Sequence, residues 1–260
     1  YLYSRYGNPT VTMFEDRMAL YEGAEACFAT ASGMSAVFAS LMSYLKSGDE
    51  VIASRALFGS CYHILDQILP RYGIKTYLID GTNLSQWEQH ITDKTKCVFF
   101  ETPSNPTMEI IDIKSVAEIA HQHNAMVIVD NILASPVLQK PIEFGADIVV
   151  YSGTKHIDGQ GRSLGGAILS TKQHYEEYLK PFIRHTGPTL SPFNAWIQLK
   201  GLETLQLRMK QHCSNAKKVA TYLYQHPQVK RIIYPDLDSH PQYEIAKKPV
   251  SYTHLRAHET

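Results

Sequence analysis

Short apolar runs that alternate with amphipathic stretches predict an α/β fold: a mostly parallel sheet with helices on both faces. Two features of the runs support this. Each is only as long as a strand, and each is rich in β-branched or aromatic residues, which marks strands buried on both faces. With 44% hydrophobic and 19% charged residues among 260, the chain can fill such a core, and a disordered or collagen-like chain is excluded.

In chain order, Val51–Ala53, Lys75–Ile79, Cys97–Phe100, Met126–Val129, Asp147–Tyr151 and Gly166–Leu169 read as buried strands. Residues Ile113–His123 read as a helix with Val116, Ala117 and Ala120 on one face and Asn124 as its stop. From Ser191 the pattern becomes one long helical stretch to about Tyr224, broken at Pro227, and reads as the link into a second domain.

Lys plus Arg equals Asp plus Glu, 25 each, so no global field draws the chain to nucleic acid or to an anionic membrane. No apolar run approaches the roughly 18 residues of a membrane span. The first residues lack a secretory pattern and a starting Met, so the sequence is expected to continue upstream. Cys27, Cys61, Cys97 and Cys213 lie far apart without a Cys-x-x-Cys pair, the usage of reduced thiols in a cytoplasmic protein. The 12 histidines form no metal-binding spacing, and His121 and His123 diverge around a helix. No metal is expected.

Open α/β sheets bind ligands at the carboxyl ends of their strands, and three polar clusters follow apolar runs there. Lys155 follows Ile148–Tyr151. Buried and desolvated, it would serve as a Schiff-base nucleophile; its plain alternative is an ammonium that reaches the surface. Asp130 follows Met126–Val129, one helix-plus-strand unit earlier. It is either a helix N-cap or a carboxylate that keeps a pyridine nitrogen protonated, which makes a pyridoxal ring an electron sink. Ser32, Gly33, Met34 and Ser35 open a helical run, where bare N–H groups bind anions, and Ser152 and Thr154 add hydroxyls beside the lysine. Together these supply a phosphate pocket, an aldehyde-capturing amine and a partner for a ring nitrogen. The glycine-rich run 159–166 is a near match to a dinucleotide fingerprint, but it leads into a strand and reads as a loop near the site.

With these residues the chain resembles the Cys/Met-metabolism, or trans-sulfuration, family of pyridoxal 5'-phosphate enzymes, from about Tyr3 to about Glu244. The motifs are Tyr3-Ser-Arg-Tyr-Gly-Asn-Pro-Thr10, Ser32-Gly-Met-Ser35, Glu101-Thr-Pro-Ser-Asn-Pro106, Asp130 and Lys155. The resemblance implies the fold type I, aspartate aminotransferase-like architecture. It also implies that Lys155 forms the Schiff base, Asp130 holds the ring nitrogen, Asn105 contacts the 3′-oxygen and Phe58 stacks on the ring. Tyr3 and Arg5 would bind the phosphate of a neighbouring subunit, in a dimer of dimers. The implied domains are an arm at 1–10, a large cofactor-binding domain at 11–190, a linking helix with the start of a C-terminal domain at 191–248, and a non-native tail at 249–260. The chain thus reads as truncated at both ends, without the family's arginine for the substrate carboxylate; Arg256 does not replace it.

Within the family, Phe58, the Asp158-Gly-Gln-Gly-Arg162 run and Gly187-Pro-Thr-Leu-Ser-Pro-Phe-Asn-Ala-Trp196 are similar to the O-succinylhomoserine sulfhydrylases. That implies a small amino-acid substrate and exchange of its succinyl group for sulfide to give homocysteine. Alternatives are cystathionine γ-synthase, a cystathionine or methionine γ-lyase, and, in another class, a non-catalytic fragment that binds cofactor or dimerises. Gly153 and His156 depart from the family's small side chain and aromatic beside the lysine, a change expected to loosen the site.

Overall fold

The chain folds around seven strands: β1 (Ala26–Thr30), β2 (Glu50–Ser54), β3 (Lys75–Ile79), β4 (Thr95–Glu101), β5 (Met126–Asp130), β6 (Ile148–Ser152) and β7 (Gly166–Ser170). In this computed structural model residues 3–247 are described; the segment 249–260, with Arg256, lies outside them. The strands form one sheet in the order β1-β7-β6-β5-β4-β2-β3. All neighbours pair in parallel except β7, which is antiparallel to both β6 and β1.

Alternation along each strand divides the core into two faces. Val98 and Phe100 of β4, Val127 and Val129 of β5, and Val149 and Tyr151 of β6 share one face with the Ile113–Gln122 helix. Cys97, Phe99, Ile128, Ile148 and Val150 point to the other, under the Gly33–Met42 helix. Val116, Ala117 and Ala120 are buried, as their spacing predicts. Asp112 caps that helix by accepting the Ser115 N–H. Asn124, at φ 55°, ends it in the left-handed region that Asn tolerates.

Several expectations need correction. Ala26–Thr30 is a further strand that the sequence does not announce, because its apolar run contains no Val or Ile. Lys75–Ile79 is a strand but not a buried one: it sits at the sheet edge, with Lys75 and Tyr77 exposed. Asp147 precedes β6; its carboxylate accepts the Val127 N–H at 2.7 Å and pairs with His121. The single long helix after Ser191 is two, Pro192–Leu202 and Leu205–Tyr224. The break follows from close packing. A Cβ on Gly201 would collide with the Ile157 carbonyl, so the first helix ends flat against the turn after β6. Arg208 Nη2 donates to the Gly201 carbonyl at 2.8 Å, which offsets a lost helical bond.

A buried polar chain crosses the first core face. Tyr151 Oη donates to Glu22 and accepts from Asn131 Nδ2; Gln139 Nε2 donates to Asn131 Oδ1 and to the Thr102 carbonyl. Burial pushes the Glu22 carboxyl up to about 8 from its ordinary 4.5, against the opposing bond from Tyr151. A raised carboxyl holds its proton more tightly folded than unfolded. Its contribution to stability is therefore complete below 4.5 and is lost as pH rises through about 8. Glu22→Gln should accordingly reduce the fall in Tm between about pH 5 and about pH 9, followed by circular dichroism. An unchanged slope would mean that Glu22 is ionised in the fold.

Candidate active site

Strand register assembles the site. In β4, β5 and β6, Glu101 pairs with Asp130 and Asp130 with Val150. By alternation Glu101, Asp130 and Ser152 point to the face under the Gly33–Met42 helix, at the carboxyl ends of their strands. That helix begins against β6: a Cβ on Gly33 would lie 2.6 Å from the Ser152 Cβ. Gly166 at the start of β7 gives the Ser32 carbonyl equal clearance. Only glycines permit this approach, and it puts the Ser32 loop directly over Ser152. Ser32 Oγ caps the helix by accepting the Ser35 N–H at 3.1 Å, while Gly33 and Met34 occupy the first turn, where N–H groups have no intrahelical acceptor.

Asp130 is 1% exposed. Its Oδ1 accepts the Ile132 N–H at 3.1 Å, an Asx-type turn rather than the cap of the short Ser135–Leu138 helix. Its Oδ2 faces Cys61 Sγ at 3.9 Å, a weak donor. Burial first, then the Glu101 charge, pushes the Asp130 carboxyl well above the usual range. Phe58 and Asn105 are exposed above this pair; the Phe58 N–H donates to Glu101 Oε2 at 3.0 Å, and the Asn105 N–H also bonds to Glu101.

Lys155 lies on the Gly153–Ile157 turn, with φ −89° and ψ −113°, outside the helical region. Its side chain is exposed, so the expected burial is not supplied by this chain's own residues. The turn itself is firmly held. Thr154 Oγ1 accepts the Gly165 N–H at 3.4 Å, Gly153 N–H donates to the Gly165 carbonyl at 2.8 Å, and Arg208 donates to the His156 and Ile157 carbonyls. Residues 159–165 form the expected loop, which leads into β7 at Gly166, with Arg162 closed on Asp158. Gly153 does not loosen the site. The space a Cβ would take, at Gly153 and at Gly165 alike, is filled by the fully buried Gln198 side chain. His156 instead packs its ring edge-on against His212, 5.9 Å between centroids.

Tyr3 and Arg5 stand apart from these residues. They line a cavity of about 480 Å³ with Tyr6, Tyr175, Lys180 and Arg184, and Arg5 donates to the Arg184 carbonyl. Arg208 and Gln198 carry no local signal for this role, because their bonds to the lysine turn and to Ser163 span more than 30 residues. Glu101 opens the Glu101–Pro106 motif, in which the resemblance assigns a role only to Asn105.

The donor set fits pyridoxal phosphate. A buried carboxylate oxygen with only a thiol beside it suits a protonated ring nitrogen, and a glycine-flanked helix start beside two hydroxyls suits a phosphate. Among the described residues, no helix is long and apolar enough to cross a membrane.

The comparisons agree. An O-succinylhomoserine sulfhydrylase of Mycobacterium tuberculosis is 53% identical over 251 residues, 96% of this chain and 62% of that relative. An L-methionine gamma-lyase of Fusobacterium nucleatum subsp. polymorphum is 40% identical, across 95% of this chain and 63% of its own length. The crystal structure of cystathionine gamma-lyase from Lactobacillus plantarum, complexed with L-serine, superposes with a TM-score of 0.92 at 36% identity, over 95% of this chain and 65% of that one. The fold type I architecture is therefore the one observed, and the chain spans less than two thirds of the length of these relatives. With a match over residues 1–255, past Lys248, the chain belongs to the Cys/Met metabolism PLP-dependent enzyme family.

Proposed function

We propose that this chain is the cofactor-binding part of a transferase that exchanges the succinyl group of O-succinyl-L-homoserine for sulfide, giving L-homocysteine and succinate in cytoplasmic methionine biosynthesis. The observation that carries the reading is Asp130, a buried carboxylate with one under-used oxygen, on the strand paired with the one that leads into Lys155. Identity of 53% to a sulfhydrylase against 40% to a γ-lyase supports replacement over elimination.

Bound pyridoxal phosphate supplies a protonated ring that delocalises electrons freed at the substrate Cα. Asp130 holds the proton on the ring nitrogen. The Gly33 and Met34 N–H groups with the Ser32, Ser152 and Thr154 hydroxyls bind the phosphate, and Asn105 binds the 3′-oxygen. Phe58 has no exchangeable proton, so it orients the ring by stacking. Lys155 Nζ holds the cofactor at rest, then takes the Cα proton and serves again at Cβ as the γ-substituent leaves. In a homo-oligomer, Tyr3 and Arg5 of a neighbouring copy complete the phosphate contacts.

Lys155→Ala should abolish the visible absorbance of the protein–cofactor complex and its fixation by borohydride; cofactor still trapped on the variant would sink the lysine assignment. Asp130→Asn should retain cofactor but slow Cα-proton exchange by about a hundredfold or more, because an amide cannot keep the ring nitrogen charged. Near-normal exchange would remove Asp130 from this role. Homocysteine formed from O-succinylhomoserine with sulfide supports the proposal. Cystathionine formed with cysteine would favour a γ-synthase, 2-oxobutanoate without a sulfur donor a γ-lyase, and bound cofactor with no turnover a non-catalytic part.

Arg5→Ala should weaken cofactor binding, since a bidentate arginine–phosphate contact is strong. Mixed with Lys155→Ala subunits, it should form heterodimers with one intact site, read by borohydride fixation at low cofactor concentration. No recovery after verified subunit exchange would mean that the arm acts within its own chain.

A further inference from the structure

Glu101 has a geometry that none of the roles above uses. It is 2% exposed and ends β4, so its side chain lies beside that of Asp130 on the same face of the sheet. Its carboxylate accepts the N–H of Phe58, from the loop after β2, and that of Asn105, from the loop after β4 itself. One buried group at the end of β4 thus ties the loop after β2 to the loop after β4. Phe58 precedes the Gly59–His63 helix and has no side-chain cap there; Asn105 lies in the turn where Ser104 Oγ and Thr107 Oγ1 bond at 2.7 Å. Both side chains are exposed, so their own packing does little to fix them. The backbone bonds to Glu101 set where they point.

We propose that Glu101 is a positioning residue: a buried carboxylate clasp that fixes the ring-stacking Phe58 and the 3′-oxygen ligand Asn105 over the carboxylate that takes the ring nitrogen. The proposal rests on the cofactor reading above. Two backbone N–H bonds converge on this one buried carboxyl, which restrains both loops at once. Burial pushes the Glu101 carboxyl up to about 7, while the two N–H bonds pull it down. The clasp is thus formed by a group that is costly to bury, and the two loops supply the compensation. A negative charge beside Asp130 also favours a cationic ring in the same place.

The test is a double-mutant cycle on cofactor affinity, measured by titration of pyridoxal phosphate into the apo protein and checked by the induced circular dichroism of the bound ring. Glu101→Gln keeps length and one acceptor oxygen but turns the other into a donor facing an N–H. It should weaken binding about tenfold and change the dichroic band, which reports ring tilt. Phe58→Ala should weaken binding alone. In the double variant the losses should be less than multiplicative, because the ring can no longer be held once its clasp is gone. Losses that multiply fully, with an unchanged band in Glu101→Gln, would overturn the proposal. Should Glu101→Gln fail to fold, Glu101→Asp runs the same cycle: it keeps the charge but is one methylene too short to reach both loops. Wild type that binds no cofactor would instead defeat the cofactor reading, and is read separately in the first titration.

Discussion

The parallel register of β4, β5 and β6 is the constraint on which the site depends. Parallel strands in step bring their carboxyl ends to one edge, and the two-residue period decides which side chains face the same way. With Glu101 opposite Asp130 and Asp130 opposite Val150, one carboxylate pair and the start of the Lys155 turn are placed together by backbone bonds. A slip of one residue would turn Asp130 into the opposite core, among Val98 and Phe100 of β4 and Val149 and Tyr151 of β6. The apolar interiors of these strands oppose that slip, since each buried Val or Phe contributes about 1.5–3 kcal/mol when it stays buried.

The central strands were legible because they carry dense β-branched runs, and Asp130 and Lys155 because a polar residue at the end of such a run is conspicuous. β1 was not legible: Ala26-Cys-Phe-Ala-Thr30 has strand geometry through pairing with β7 rather than through its own composition. The break at Glu203-Thr204 was hidden because its cause, Gly201 lying against Ile157, is a contact between segments far apart in sequence. Nor does local sequence reveal whether a lysine is buried. Lys155 follows a strand that is, yet its own side chain emerges into solvent.

The departures beside the lysine show how such distant contacts compensate. Gly153 looks like a loss of packing only if its neighbours are ignored. Gln198 occupies the space beside both Gly153 and Gly165, and Arg208 draws the carbonyls of His156 and Ile157 onto the Leu205–Tyr224 helix. The lysine turn is held through its backbone, by side chains from the Pro192–Leu202 and Leu205–Tyr224 helices. Rigid backbone with a free side chain is what a lysine needs if it must both hold a ligand and let it go.

The buried carboxyls separate the structural from the functional. The part-buried Glu15 accepts the Ala29 N–H, while buried Glu22 accepts from Tyr151 Oη and the Ile142 N–H and buried Glu101 from the Phe58 and Asn105 N–H groups. Burial raises all three, but each has firm donors. Asp130 is raised as well, by burial and by its neighbour, and beyond one backbone N–H it has only a thiol at 3.9 Å. A buried carboxylate oxygen left with so weak a donor costs free energy that the rest of the fold does not return. A cationic N–H from a ligand would return it, and would do so at the one point where the strand ends, the helix start and the lysine turn meet.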